Sequence, residues 1–172
     1  MVRKELWGGM KKMTPDEKID HLRLYELAMY RIAKGILIQE EDCKDALQEA
    51  MIRAYCHMEK VKEITYLKTW VLRITINECN RLYKKRNQYG KTTLLEERRV
   101  VHKNLEEHWD LHKAIRQLEK KYGEPLVLYY FGDCSYEEIG QILKLPLGTV
   151  KSRIYYAKNK LKERLGEEYE AR

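Results

Sequence analysis

The residues best suited to chemistry with a partner molecule are cations near the C-terminus. Between Thr149 and Leu165 there are six lysines or arginines and a single acid, which gives this stretch a net charge of +5. Its apolar residues recur at helical spacing and form one stripe, which consists of Val150, Ile154, Ala157, Leu161 and Leu165. A helix of this kind suits the DNA major groove, because its first turns reach base edges while later cations meet phosphates.

A short helix is predicted just before this basic one. Ser135 and Glu138 have the spacing of a capping box, and the apolar face that follows consists of Ile139, Ile142 and Leu143. The Lys144–Pro146 segment then breaks the helix. Two helices joined by a tight turn, the second strongly basic, indicate a helix-turn-helix. The alternative is an ordinary helical hairpin with a solvated basic face.

A second candidate surface lies near the middle of the chain. Steps of four, three, four, three and four residues put one set on a single helical face: Tyr66, Trp70, Arg73, Asn77, Asn80 and Lys84. Between Arg81 and Lys91 there are also five cations and no acid. Aromatic rings stack on unpaired bases, asparagine bonds base edges and cations hold the backbone, so a single-strand site is predicted. For Trp70 the alternative is a core position.

An acidic and amide patch is predicted on the preceding helix. Asp45, Gln48 and Glu49 stand at i, i+3 and i+4, opposite an apolar stripe that consists of Ala46, Leu47, Ala50 and Met51. Exposed acids are usually only solvated, so the spacing by itself does not identify a partner.

Composition indicates an all-helical protein. The 172 residues are 44% hydrophobic and 35% charged, with nine glycines and three prolines, and the length suits two small domains better than one large one. The formal charge of +7 suits a polyanionic partner.

Several classes of protein are disfavoured. The four cysteines are scattered singly, so zinc and a disulfide framework are not expected, and a reducing cytoplasm fits best. We find neither a run of apolar residues long enough to span a membrane nor a signal peptide. The five histidines fit no nucleophile or metal pattern, and there is no glycine-rich phosphate loop. We therefore expect no enzyme, no catalytic residue and no cofactor.

Capping signals divide the chain into elements. Thr14 is expected to cap a first helix that ends near Ile38. Asp42 is expected to cap a second helix that extends to about Met58, and Thr65 a third helix that extends to about Arg86. Helical pattern resumes at Leu111, crosses the sequence Tyr-Gly-Glu-Pro and continues into the helix-turn-helix.

The predicted fold is all-α, with two small helical domains joined by a flexible linker. The expected boundaries are a disordered N-terminus at 1–13, a three-to-four-helix bundle at 14–87, a linker at 88–110, a helix-turn-helix domain at 111–166 and a tail at 167–172.

Four segments closely resemble bacterial sigma factors of the extracytoplasmic-function (ECF) group, in the sigma-seventy family. In chain order they are Asp45–Tyr55, Tyr66–Asn77, Ser135–Gly140 and Leu147–Arg153. The resemblance extends over about residues 19–87 and 111–165. It implies a cytoplasmic RNA polymerase subunit, with regions two and four of the family. Such a subunit recognises the minus-thirty-five and minus-ten promoter elements and directs transcription initiation, here in a stress or envelope response.

The resemblance also implies roles by position. Asp45, Gln48 and Glu49 match the patch that docks on the coiled coil of the polymerase beta-prime subunit, and region four implies contact with the beta flap. The minus-ten set, for duplex and single-stranded promoter DNA, is Tyr66, Trp70, Arg73, Asn77, Asn80, Arg81, Lys84, Lys85 and Arg86. The minus-thirty-five set is Gly148, Thr149, Lys151, Ser152, Arg153, Tyr155, Tyr156 and Lys158. An anti-sigma factor is a further implied partner, and no membrane insertion is expected.

This chain departs from the family pattern at four positions: Lys144 stands where glycine is frequent, Tyr156 where arginine is, Met51 where phenylalanine is, and Cys134 where leucine is. Lys144 is therefore expected to adopt a left-handed backbone at some cost. The main alternative function is a helix-turn-helix repressor or activator that acts as a dimer without polymerase. A third is a module that only sequesters a partner.

Overall fold

In the computed structural model, the described residues are 13–89 and 106–170, with side chains for 13–86 and 111–163. Every regular element within these ranges is helical, which confirms the all-α prediction. The α-helices are α1 (Pro15–Ile36), α2 (Glu40–His57), α3 (Leu67–Tyr89), α4 (Glu106–Arg116), α5 (Lys120–Phe131), α6 (Tyr136–Leu143) and α7 (Leu147–Glu170). We call α1–α3 the N-terminal bundle and α4–α7 the C-terminal bundle. The predictions for residues 1–12, 90–105, 171 and 172 lie outside the described residues.

The start of α1 agrees with the sequence prediction. Thr14 Oγ1 accepts a hydrogen bond from Glu17 N at 3.3 Å, and Glu17 Oε2 accepts one from Thr14 N at 2.8 Å. This reciprocal pair satisfies two of the backbone donors that a helix start leaves open. The helix ends at Ile36, two residues earlier than predicted, because Leu37 is already extended.

Two predicted caps are wrong. Gln39 is the N-cap of α2, and Asp42 lies inside its first turn, nearly buried, where it binds Arg86 of α3. Thr65 lies in a 3-10 turn, Ile64–Tyr66, and α3 begins after it at Leu67. Asp42 does not cap α2, because its carboxylate neutralises a cation of a neighbouring helix instead.

The second half differs from the prediction in where its helices break. The helical pattern is interrupted between Arg116 and Lys120, whereas Pro125 lies inside α5. Residues 106–110 of the predicted linker are helical, and α7 continues through the predicted tail to Glu170.

The larger of two hydrophobic core clusters extends across both bundles, and the smaller one lies within the N-terminal bundle. α1 packs on α4 and α5, and α3 packs on α6. The largest fully buried side chains come from both halves and include Leu22, Met29, Ile32, Leu67, Leu72, Ile115, Leu126, Leu128, Ile139 and Ile154. The two bundles therefore share a packed seam.

Candidate nucleic-acid and polymerase interfaces

The helix-turn-helix has the predicted local structure. Ser135 Oγ accepts from Glu138 N at 3.1 Å, and Glu138 Oε2 accepts from Ser135 N at 2.8 Å. The turn after α6 is tight, since a Cβ at Gly140 would lie 2.9 Å from the Leu145 carbonyl oxygen. Lys144 ends the helix with φ 56° and ψ 49°, so the expected left-handed backbone is confirmed.

The first turns of α7 present their polar residues to solvent. The stripe of Val150, Ile154, Ala157 and Leu161 is buried as predicted. Lys151, Ser152 and Tyr155 point away from it, and the Tyr155 residue is 71% exposed. Gly148 at the helix start is open as well, because a Cβ there would meet nothing within 4 Å. Thr149 and Arg153 are half-buried beside this surface.

Two further residues of the minus-thirty-five set contact aromatic rings of α5. The Tyr156 ring lies 4.3 Å from the Tyr122 ring, centroid to centroid. Lys158 Nζ lies 4.2 Å from the centroid of the Tyr129 ring, within cation–π range. These two side chains therefore help to hold α7 on α5.

The minus-ten set lies on α3 and at Tyr66 just before it, and it is divided between exposed and covered positions. Tyr66, Asn77 and Lys84 are exposed. Trp70 is half-buried and packs against the core, so it lies partly in the core position that the sequence left as its alternative. Arg73 and Asn80 are also half-buried, and both donate hydrogen bonds to the C-terminal bundle.

Two arginines of the same set form ion pairs within the N-terminal bundle. Arg81 Nε lies 2.7 Å from Glu78, whose nearly buried carboxylate also binds Arg53 at 3.0 Å. Arg86 binds Asp42 through two nitrogens, at 2.8 and 2.9 Å. Lys85 is exposed. The sequence analysis did not identify either acid as the partner of an arginine. The i,i+3 spacing of Glu78 and Arg81 was a visible signal for the first, whereas residues 42 and 86 are related only by the fold.

The acidic patch on α2 is partly occupied. Asp45 and Gln48 are exposed, but Glu49 accepts a hydrogen bond from Arg53 Nε at 2.9 Å, which raises the pKa of the Arg53 guanidinium. Ile52 is 50% exposed and continues the face of Asp45 and Gln48 one turn further. Ile52 was not among the candidate residues of the sequence analysis.

Three of the four cysteines are buried, and Cys56 is exposed. All four are free, and burial raises the pKa of the Cys43 thiol to about 11 and that of Cys134 to about 12. The pKa of the Cys79 thiol is raised further by the same cause. Among the described residues there is no cluster of three side chains able to hold a metal ion. None of the described helices has the length and hydrophobicity needed to cross a membrane.

Comparison with known proteins identifies the family. The model of sigma-70 region 2 matches residues 21–89, and that of sigma-70 region 4 matches residues 108–161. The chain is 30% identical to the ECF RNA polymerase sigma factor SigW of Bacillus subtilis, an alignment that includes 96% of this chain and 97% of SigW. The chain belongs to the ECF sigma factors. A second relative, the RNA polymerase sigma factor SigV of the same organism, is 28% identical over 74% of this chain and 78% of its own.

Two solved structures share the fold. The sigma factor RpoE of Bartonella quintana, solved with the anti-sigma factor NepR, has a TM-score of 0.75 and 24% identity, and the match includes 86% of this chain and 96% of that one. CnrH, solved with the cytosolic domain of CnrY, has a TM-score of 0.74 and 19% identity over 95% and 96% of the two chains. Both likenesses include the two bundles, which confirms the predicted two-part helical fold.

This sigma factor is a promoter-recognising subunit that acts with RNA polymerase in transcription initiation. Sigma factors are initiation factors rather than enzymes, which confirms the prediction of no catalysis. The alternative of a dimeric repressor or activator without polymerase is not favoured.

Proposed function

We propose that this sigma factor reads the minus-thirty-five element with the first turns of α7 and holds the opened minus-ten strand on α3. The observation that carries the first role is the exposed surface of Lys151, Ser152 and Tyr155 on a helix-turn-helix with a tight turn. Lysine and serine side chains at this position of a recognition helix reach base edges. Tyr66, in the 3-10 turn before α3, and Trp70 of α3 supply rings for stacking, and Asn77 supplies an amide for base edges.

We further propose that the α2 patch docks on the polymerase beta-prime coiled coil and that the C-terminal bundle contacts the beta flap. Asp45 and Gln48 are exposed with Ile52 beside them, so one face of α2 offers an acid, an amide and an apolar side chain. Such a mixed face is typical of a protein interface, in which an apolar anchor is surrounded by polar contacts. Glu49 is expected to contribute less than Asp45, because Arg53 already binds it.

An anti-sigma factor is proposed as a further partner, since the similar sigma factor RpoE was solved in complex with the anti-sigma factor NepR. We also propose a cytoplasmic location, which the free cysteines suit, and a role in a stress or envelope response.

The docking proposal is tested by titrating core polymerase with the double variant Asp45→Ala with Glu49→Ala. Removal of one charge-assisted hydrogen bond from an interface costs about 1 to 3 kcal/mol, so affinity is expected to fall about 10-fold or more. The single variant Asp45→Ala should show most of that decrease, because Glu49 is bound within α2.

A matched control removes the same charge elsewhere. Asp20→Ala with Glu26→Ala changes two exposed acids of α1 and should leave core affinity unchanged. Equal affinity of the α2 double variant and the unmodified chain, with both folded by circular dichroism, would reject the assignment.

A further inference from the structure

The Tyr156 ring of the recognition helix is held by a second ring from the neighbouring helix. Its centroid lies 4.3 Å from that of Tyr122, and the two ring planes are inclined by 30°. Tyr122 lies in the first turn of α5, where it is half-buried and packs against the core. Tyr156 remains 42% exposed. Part of this residue is therefore covered by protein, while the rest is open to solvent.

Tyr122 is itself fixed on two sides. Its backbone N donates a hydrogen bond to the Glu119 carbonyl oxygen at 2.8 Å, and its side chain packs against the core. Lys121 Nζ lies 4.8 Å from the centroid of the Tyr122 ring and 2.9 Å from Glu119 Oε2. Lys121 and Glu119 are exposed, so the core contact supplies most of the restraint. The Tyr122 ring thus gives Tyr156 a stationary surface on which to lie.

The open part of Tyr156 belongs to the recognition surface of α7. Residues four apart lie on the same face of a helix, so Tyr156 adjoins Ser152 as Tyr155 adjoins Lys151. Ser152, Tyr155 and Lys151 are all exposed. Tyr155 is 71% exposed, whereas the Tyr156 ring lies against Tyr122. Of these two neighbouring rings on the recognition surface, Tyr156 is the more firmly held.

A fixed ring is better suited to reading bases than a free one. A side chain that already occupies its bound conformation loses less conformational entropy when it binds. Tyrosine has only two side-chain torsions, and contact with a stationary neighbour restricts both. Replacement of Tyr122 by a residue without a ring should therefore change how Tyr156 contacts DNA, although Tyr156 itself is unaltered.

The chemistry of Tyr156 favours a thymine. Arginine, which is frequent at this position in the family, binds guanine through two hydrogen bonds. Tyrosine has neither the charge nor the paired donors, but its ring offers apolar carbon atoms. In the major groove, the 5-methyl group of thymine is the base feature that apolar atoms contact. We therefore expect a T·A base pair where Tyr156 meets the groove.

We propose that Tyr122 is a positioning residue for promoter recognition, which fixes the Tyr156 ring so that this ring contacts a thymine methyl group in the minus-thirty-five element. This inference rests on the proposed function of α7. Because Tyr122 acts through Tyr156, its removal should change base preference and not only affinity. If the two rings served only to hold α7 on α5, removal of Tyr122 would weaken binding to all sequences alike.

The test uses holoenzyme formed with the full chain and has two stages. Selection from a promoter library, randomised over the minus-thirty-five region, first identifies the base pair whose preference changes in Tyr156→Ala. Synthetic promoters then carry either thymine or uracil at that position, because uracil differs from thymine only by the missing 5-methyl group. Competition binding gives the ratio of the two affinities.

The unmodified chain should bind the thymine promoter about fourfold more tightly than the uracil promoter, which is the effect of burying one methyl group. Tyr122→Phe retains the ring and should retain this ratio. Tyr122→Leu keeps an apolar side chain but no ring, so the ratio should fall to about one. Combining Tyr122→Leu with Tyr156→Ala should lower the ratio no further, because the two residues act as a unit.

The matched control is Tyr136→Leu. Tyr136 is also half-buried against the core, but its ring lies beside that of Tyr129, at 5.6 Å between centroids. The same substitution there should cost similar stability and leave the thymine-to-uracil ratio at about fourfold. Should Tyr122→Leu not fold by circular dichroism, Tyr122→Met serves in its place, because methionine fills irregular core space.

A ratio that stays at about fourfold in Tyr122→Leu would overturn the positioning role. Equal loss of affinity for every library sequence in that variant would have the same meaning, since Tyr122 would then act only in packing. A ratio of about one in the unmodified chain would overturn the methyl contact.

Lys151→Ala separates these failures from failure of the proposed function of α7. If Lys151→Ala alters base preference while Tyr156→Ala does not, α7 reads the promoter and only the inference fails. If neither variant alters base preference, the assignment of α7 itself fails.

Discussion

The two basic helices of this sigma factor, α3 and α7, each contain six lysines or arginines, but they differ in how many of their polar side chains are available to DNA. On α3, three of the predicted cations are bound to protein groups: Arg73 to a carbonyl, Arg81 to Glu78 and Arg86 to Asp42. On α7, Lys151 and Ser152 are exposed in the turns that would enter the groove. Charge along a sequence therefore predicts the class of partner, whereas pairing in the fold decides whether that partner can bind at once.

The aromatic residues of α3 and α7 show the same difference in availability. Trp70 of α3 is half-buried against the core, while Tyr155 of α7 is 71% exposed. A ring that stabilises the fold and also stacks on a base cannot be removed without affecting both properties. A solvent-exposed ring can contact DNA without also contributing to the stability of the fold.

The largest expected effect follows from Trp70→Ala. Loss of a large packed ring should lower the free energy of unfolding by about 3 kcal/mol, because a cavity is left in the core. Tyr155→Ala should change it by less than about 0.5 kcal/mol, as exposed positions usually do. Chemical denaturation of the two variants measures both values.

If Trp70→Ala and Tyr155→Ala were equally stable, the difference between the α3 and α7 rings would be contradicted, because Trp70 would then not be a core residue. The Trp70→Phe variant sharpens it, because phenylalanine retains most of the packing. If its stability is largely restored while binding of single strands remains weak, the indole ring itself is needed for the strand.

A smaller effect is expected within α7. Lys151→Ala should change which upstream base pairs are preferred, at a cost of about 1 to 3 kcal/mol for the preferred site. Lys162→Ala, an exposed cation three turns later, should weaken binding to all sequences alike and reduce the salt dependence by about one counterion. Selection from a promoter library with holoenzyme, at two salt concentrations, distinguishes the two.

Lys158 lies between the part of α7 that we expect to read bases and the part that we expect to contact phosphates. Because its ammonium lies over the Tyr129 ring, we expect Lys158→Ala to have a smaller effect on the salt dependence than Lys162→Ala. A variant of Lys162 that altered base preference as strongly as a variant of Lys151 would show that α7 enters the groove in another orientation.

Local signals predicted much of this molecule. The capping boxes at Thr14 and Ser135, the buried stripe of α7 and the left-handed Lys144 all depend on residues that are close in sequence. The order of the motifs along the chain was sufficient to identify the family. These features are encoded by short-range spacing, and the sequence displays that spacing directly.

Contacts between distant residues were not predictable in the same way. Asp42 has the composition of a cap, but Arg86 draws its carboxylate into the bundle from 44 positions away. The seam on α3 likewise joins Lys68 to Glu138 and Arg73 to Ile142, which no local pattern relates. Which predicted DNA residues are covered is therefore a property of the packing of the two bundles.

The smallest expected effect is the change in stability caused by Lys144→Gly, and this variant also tests whether the two bundles unfold together. Lys144 holds a left-handed backbone that costs a residue with a Cβ about 1 to 2 kcal/mol, whereas glycine adopts it freely. Part of this gain is offset because glycine has more freedom in the unfolded chain, so the expected stabilisation is about 1 kcal/mol. Lys144→Ala is the matched control, because it removes the same charge but retains the Cβ.

Since one core cluster extends through both bundles, thermal unfolding should be a single transition, and Lys144→Gly should raise its midpoint temperature. Two transitions, with only one of them shifted, would show that the bundles are energetically separate and that the seam holds them together only weakly.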